Sequence, residues 1–159
     1  MVREIHAKDF NSLSKKDRYY LEKVLDDVRS KRSEALCDEG DCQSSHIDYD
    51  GTSREHRKKY KTKYSISALV VQAGNRPRVS GTNSYTKTHP KQKRYAVLSG
   101  QTCERSYLHA EIHAISRAVK PVAIYIARSD GQGNPKLAKP CPACRRAIED
   151  SGIRRIVHT

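Results

Sequence analysis

The apolar positions of this chain fall into a few short periodic runs separated by polar stretches. Leu21, Val24, Leu25 and Val28 recur at helical spacing and mark one face. Ser14, with Asp17 three places on, reads as the start of that helix, a capping hydroxyl followed by an acid in the first turn. Residues 37–62 are polar, charged and glycine-punctuated with no period, and read as an insertion or loop. Residues 64–71, rich in β-branched and apolar side chains, predict a strand. Gly74-Asn75-Arg76-Pro77 turns it, and residues 78–85 return as its hairpin partner. Residues 86–106 are lysine-rich and irregular, with a short strand expected near 95–98.

The stretch LHAEIHAISRA at 108–118 predicts a second helix. Residues 122–127 form an unbroken apolar run, as in a strand buried on both faces. A loop through Asp130-Gly131 and Gly133-Asn134 leads to Pro140 and a third helix over residues 142–151, closed by Gly152 as a left-handed cap. Residues 153–158 make a last strand. There is no repeat and no low-complexity tract. Helix and strand alternate through the second half, which predicts an α/β layer. At 159 residues one domain is expected, long enough to bury a core. It divides into a helical segment at 1–36, the polar insertion at 37–62 and a core at 63–159.

Charge changes this picture. The net charge of +13 is unevenly placed. Residues 1–62 carry 14 Lys and Arg against 13 Asp and Glu, whereas residues 63–159 carry 17 against 5, a surplus of 12. Between Glu55 and Glu104 there are 11 basic residues and no acid. A charge run is usually a solvated face, but one this long without an acid also suits a polyanionic partner. Charged and polar residues follow Met1, so no signal peptide is read, and no apolar run reaches membrane-spanning length. A soluble, cytoplasmic protein with no membrane partner is expected.

The five cysteines (37, 42, 103, 141 and 144) are an odd number, and in a reducing compartment they point to metal rather than to disulfides. His109 and His113 stand four apart, the spacing of a metalloprotease helix, but there a glutamate directly follows the first histidine. Here Glu111 comes one place later. Cys141 and Cys144 project the same way from a first helical turn, where Pro142 is at home. The free N–H groups and dipole of that helix end favour thiolates. Two thiolates and one imidazole give zinc three protein ligands and leave a fourth position for water, the mark of a catalytic site. His109 is the best third ligand. Positions two apart on a helix diverge by about 200°, so His109 and Glu111 converge only on an ion beyond the helix end. Two thiolates already offset the zinc charge, so a carboxylate is needed to take the water's proton. Glu111 is that base, not a ligand. His113, one turn on, points away and reads as a packed or hydrogen-bonded core histidine. The protease reading fails on the misplaced base and the two unused cysteines.

His-x-Glu followed by Pro-Cys-x-x-Cys is the signature of zinc nucleobase deaminases. The chain resembles the cytidine/deoxycytidylate deaminase superfamily, and PCPAC with GIRRIV after it most resembles the deoxycytidylate-type branch. The 28 residues between Glu111 and Pro140 suit one helix, one strand and one loop, as in that family. The resemblance implies an α/β fold, three-layer α/β/α with a mixed central sheet, whose catalytic core is 63–159. It implies Zn²⁺ held by His109, Cys141 and Cys144, with Glu111 catalytic. It further implies that Asn83 contacts the sugar and that the backbone N–H of Ala110 meets the base. Two departures stand out. The family sheet usually continues with a strand and a helix after the strand matching 153–158. These are lacking here, so that edge is bare or covered by another subunit, and a homo-oligomer is expected. Arg154 and Arg155 there would discourage open-edge aggregation. In the insertion, Cys37, Cys42 and His46 could hold a second, structural zinc, with Cys103, His56 or His89 as fourth ligand. Their alternative is a pair of ordinary loop cysteines.

The leading expectation is hydrolytic deamination of cytosine to uracil on a (deoxy)cytidine nucleotide. The basic stretch favours a base in RNA or single-stranded DNA. Arg76, Arg78, Lys87, Lys91, Lys93 and Arg94 flank Asn83, and the hairpin is expected to carry them toward the site mouth. A polynucleotide deaminase of cytosine or adenine is therefore the alternative. A non-catalytic, zinc-stabilised nucleic-acid-binding module is disfavoured, because it would have no use for Glu111.

Overall fold

A computed structural model of the chain describes residues 2–7, 10–37, 65–101 and 107–159, with side chains of the first helix described through residue 30. In chain order the elements are β1 (Arg3–His6), a 3-10 turn (Phe10–Ser12), α1 (Lys15–Cys37), β2 (Ser65–Gln72) and β3 (Val79–Thr82). There follow α2 (Pro90–Leu98), α3 (Ala110–Arg117), β4 (Pro121–Ser129), β5 (Pro135–Lys136), α4 (Pro142–Asp150) and β6 (Arg155–His158). The strands form one mixed sheet in the order β1-β6-β4-β2-β3, with β5 on the end of β4. β1, β6 and β4 run parallel, and β2 is antiparallel to both β4 and β3.

Three layers result. The helical face read from the sequence is the one that α1 buries, with Leu21, Val24, Leu25 and Val28 all sequestered. It lies on Ala123, Tyr125, Ala127 and Val157. The intervening residues Ile124 and Ile126 point to the other face, against Ala110, Ala114 and Ile115 of α3 and Ile148 of α4. Apart from exposed Val122, the apolar run on β4 is thus covered on both faces, as its unbroken pattern predicts. Ser14 caps α1 as expected, accepting from the Asp17 N–H at 3.2 Å. The Asp17 carboxylate bonds Tyr125 Oη at 2.9 Å and pairs with Arg155, tying α1 to two strands.

Two expectations are corrected. Residues 95–98 are not a strand but the end of α2. Pro90 sits in its first turn, His89 caps it by accepting from the Lys91 N–H at 3.1 Å, and Gln92 and Ala96 form its buried stripe four residues apart. The short apolar run was a helix end seen without its periodic context. Nor is β6 a bare edge. β1 pairs with it in parallel, Glu4 opposite Ile156 and Ile5 opposite Val157. That strand has only Ile5 to signal burial, and polar contacts hold it. Glu4 pairs with Arg145 on α4 and meets His158 Nε2 at 3.2 Å.

Gly81 sets the distance between β3 and α3. A Cβ there would stand 2.5 Å from both the Ala110 carbonyl oxygen and the Ala114 nitrogen. Only glycine lets the strand lie against the first turn of this helix.

Candidate active site

The N-termini of α3 and α4 meet, and the chemistry lies between them. His109 is the N-cap of α3 and Cys141 the N-cap of α4, and neither side chain makes a capping hydrogen bond. Serine, threonine, aspartate or asparagine normally fills that position and spends its side chain on the helix. Here both side chains turn outward instead. His109 Nδ1 lies 3.3 Å from Cys144 Sγ and 3.5 Å from Cys141 Sγ. The three donor atoms all fall within 4.8 Å of one another, the one such metal-ligating group among the described residues.

This donor set fits zinc. With Zn–N near 2.0–2.1 Å and Zn–S near 2.3 Å, a tetrahedral N···S edge is about 3.5 Å. The two observed separations match that edge, and the three ligands found among the described residues leave one corner open. The two sulfurs hold their protons unequally. Chiefly through the hydrogen bond from Cys144, the Cys141 thiol is lowered to about 4. The same hydrogen bond and burial push Cys144 well up. A cation between the two sulfurs would favour both as thiolates. His109 is raised, first by its hydrogen bond with Cys141.

Glu111 occupies the second position of α3 and is 6 % exposed. Burial raises its carboxyl above the usual range, against its hydrogen bond to its own backbone N–H and the His109 charge. A hydrogen bond also joins it to Cys144. The carboxyl therefore stands beside the sulfur cluster. Ala110, at the first helical position, is fully buried, and its N–H is one that a helix leaves without an internal partner.

His113 takes no part. Its Nδ1 lies 3.1 Å from the Thr82 carbonyl and 3.2 Å from the Thr82 nitrogen, so it braces β3 as a hydrogen-bonded histidine. Asn83 follows β3 directly. Its Oδ1 accepts from the Ile66 N–H at 3.0 Å, and it also bonds Tyr85. The Ser84 N–H donates to the Leu108 carbonyl at 2.8 Å, which sets this loop beside His109. Cys42, His46, His56 and Cys103, and the Cys37 side chain, lie outside the described residues. His89 is committed to capping α2.

The basic residues divide. Lys87 is drawn to the site end by the bond from the Leu108 N–H to its carbonyl at 2.9 Å, and Lys91, Lys93 and Arg94 are exposed on adjacent α2. Arg76 and Arg78 do not flank the mouth, contrary to the expectation from the sequence. Their turn lies near the C-terminal end of α3, where the Ala73 N–H meets the Lys120 carbonyl at 2.9 Å. Arg78 instead stacks over Tyr20, 5.0 Å from its centroid. A cavity of about 330 Å³ lined by Lys23, Asp27, Ser67 and Arg78 also lies on that α1 face, away from the sulfur cluster.

One residue escaped the sequence reading. Gln92, from α2, is buried, and its Oε1 accepts from the His109 N–H at 3.1 Å. The lysines around it gave no signal of a buried polar contact. Tyr95, one turn on, packs on the group formed by Leu108, Ile112, Cys144 and Ala147, as Cys141 also does.

Residues 49–159 match the family model described as the cytidine and deoxycytidylate deaminase zinc-binding region. No curated relative matches the chain. Among solved structures it is similar to a cytidine deaminase from Mycobacterium leprae, at 15% identity over 86% of this chain and 84% of that one, with a TM-score of 0.42. A cytidine deaminase from Mycobacterium tuberculosis is similar at 18% identity, over 83% and 81%, with a TM-score of 0.37. A mutant form of the latter enzyme aligns at 19% identity over 59% of this chain and 66% of that one, with a TM-score of 0.36. The family model spans most of the chain and takes in His109, Glu111, Cys141 and Cys144. The chain belongs to the cytidine and deoxycytidylate deaminase family, and it is a zinc-dependent deaminase.

Proposed function

We propose that this protein hydrolytically deaminates the cytosine base of a (deoxy)cytidine nucleotide, giving uracil and ammonia. The observation that carries the reading is a buried carboxyl, Glu111, beside a three-donor cluster with an open corner. In this reading His109, Cys141 and Cys144 hold zinc. Held there, zinc would supply Lewis acidity, making water a usable nucleophile near neutral pH. Glu111 takes the proton as the water oxygen adds to the amino-bearing ring carbon, and delivers it to the adjacent ring nitrogen. The remaining water proton follows through Glu111 to the amino group. The C–N bond breaks, ammonia leaves, and the ring carbon keeps the oxygen as a carbonyl.

The surrounding residues orient the base. The Ala110 N–H, at a helix start, donates to it, and Asn83 reaches the sugar from the loop beside Leu108. Glu111 itself has little water around it, so its proton transfers are confined to the substrate.

A polynucleotide substrate draws support from Lys87, Lys91, Lys93 and Arg94, which remain at the site end. The nucleotide stays ahead because motif and donor set describe the site, whereas charge describes the surface. Ammonia assayed from zinc-loaded protein with a nucleoside, nucleotide and oligonucleotide panel tests the assignment. Release is expected from cytidine or deoxycytidine nucleotides first. Release from oligonucleotides alone, or from an adenine base alone, would overturn it.

A further inference from the structure

We infer that Gln92 is a positioning residue of the metal centre, acting on His109 from a separate helix. An N-cap N–H lies outside the helical ladder and needs an acceptor. In a capping box, a glutamate or glutamine at the third helical position of the same helix supplies it. That position in α3 is Ile112, which has no acceptor and is packed with Cys144 and Leu108. The His109 side chain cannot cap its own helix either, because it faces the two sulfurs. The missing acceptor arrives from α2, as Gln92 Oε1 at 3.1 Å from the His109 nitrogen.

The orientation of that carboxamide is fixed by chemistry, since a backbone N–H requires the oxygen rather than the amide nitrogen. Gln92 is 2 % exposed, and a polar side chain is buried at that depth only with its hydrogen bond made. Glutamine is also long enough to span the gap between two helices, whereas asparagine or serine is shorter. The bond fixes the backbone of His109, whose Nδ1 faces the two sulfurs. It also leaves the α3 first turn free to offer Glu111 inward. Tyr95 on the same helix packs against the cluster that contains Cys144, so α2 borders the site at a second point.

This inference rests on His109 being a metal ligand, as proposed above, but not on which base is deaminated. Its test is metal binding. Gln92→Met keeps the length and removes the acceptor. Zinc affinity, measured by chelator competition, is expected to fall about 10–100-fold, the usual effect of losing an outer-shell partner. The visible absorption of the cobalt-substituted protein should shift as the imidazole tilts. Gln92→Glu retains an acceptor at the same reach and should restore the cobalt spectrum. Wild-type zinc affinity and spectrum in Gln92→Met would overturn the inference, as would a folded Gln92→Glu that behaves like Gln92→Met. If Gln92→Met does not fold, the native holoprotein decides. A scalar coupling across the hydrogen bond, from the His109 amide nitrogen to the Gln92 side-chain carbonyl carbon, is expected with slow exchange of that amide. Absence of the coupling with rapid exchange would overturn it. Failure to release ammonia from any cytosine substrate would remove the deaminase reading and leave these metal readouts standing.

Discussion

His109 and His113 are one helical turn apart and do different work, and the difference is set by where each stands on α3. His109 precedes the first turn, so its ring reaches past the helix end to two sulfurs. His113 lies within the helix, so its ring meets the backbone of β3. His109→Ala, Cys141→Ala and Cys144→Ala should each lose zinc by metal analysis, while His113→Ala keeps it. A His113→Ala protein emptied of zinc, with His109→Ala still loaded, would reverse the assignment. The grouping of His109 with Cys141 and Cys144 was legible in the sequence, because a metal site needs fixed residue types at fixed spacing and both halves of the motif lie in one short segment each. Gln92 was not legible. Its role depends on α2 docking against α3, which no local pattern encodes.

Elements show the same division. Strong periodicity gave α1, and an unbroken apolar run gave β4. By contrast, β1 is held by partners 140 or more residues away, such as Arg145 and His158 on Glu4, which spacing along four residues cannot reveal. Two tests belong here. Gly81→Ala drives a methyl group into the α3 backbone, so unfolding should cost roughly 1–3 kcal/mol less than in wild type, an overpacking penalty. Unchanged denaturant stability would mean that β3 and α3 are not so closely apposed. The second concerns Asp17. Burial pushes its carboxyl up, but hydrogen bonds from Ser14 and Tyr125 and the Arg155 charge outweigh it and hold the value below the usual range. A carboxyl depressed by folding adds stability that is present above its unfolded pKa, near 3.9, and is lost as pH falls through the folded value. Thermal unfolding temperature should therefore drop on acidification below about pH 4. Asp17→Asn should be less stable at neutral pH and should flatten that drop. An unaltered acid limb in Asp17→Asn would place the linkage elsewhere.

At the scale of the whole molecule, charge and chemistry sit at one end of the sheet. The α3 and α4 N-termini, the Asn83 loop and α2, which bears exposed Lys91, Lys93 and Arg94 and reaches His109 through Gln92, meet there, whereas the hairpin carries Arg76 and Arg78 toward the other end. The sequence showed the basic stretch but not its division, since direction along a hairpin emerges only when the helix beside it is placed. Replacing Lys91, Lys93 and Arg94 together should leave mononucleotide turnover nearly unchanged. If a strand is also bound, the slope of log affinity against log salt, about −0.7 per phosphate contacted, should flatten. No oligonucleotide binding at low salt would assign these charges to solubility. Whatever the length of the substrate, zinc and Glu111 are proposed to act together in removing an amino group from cytosine. Ammonia release from a cytidine or deoxycytidine nucleotide tests this most directly, comparing zinc-loaded wild type with Glu111→Gln at equal zinc content. Glu111→Gln should keep its fold and metal and lose about 10²–10⁴-fold in rate. Equal rates in the two proteins would remove Glu111 from the chemistry.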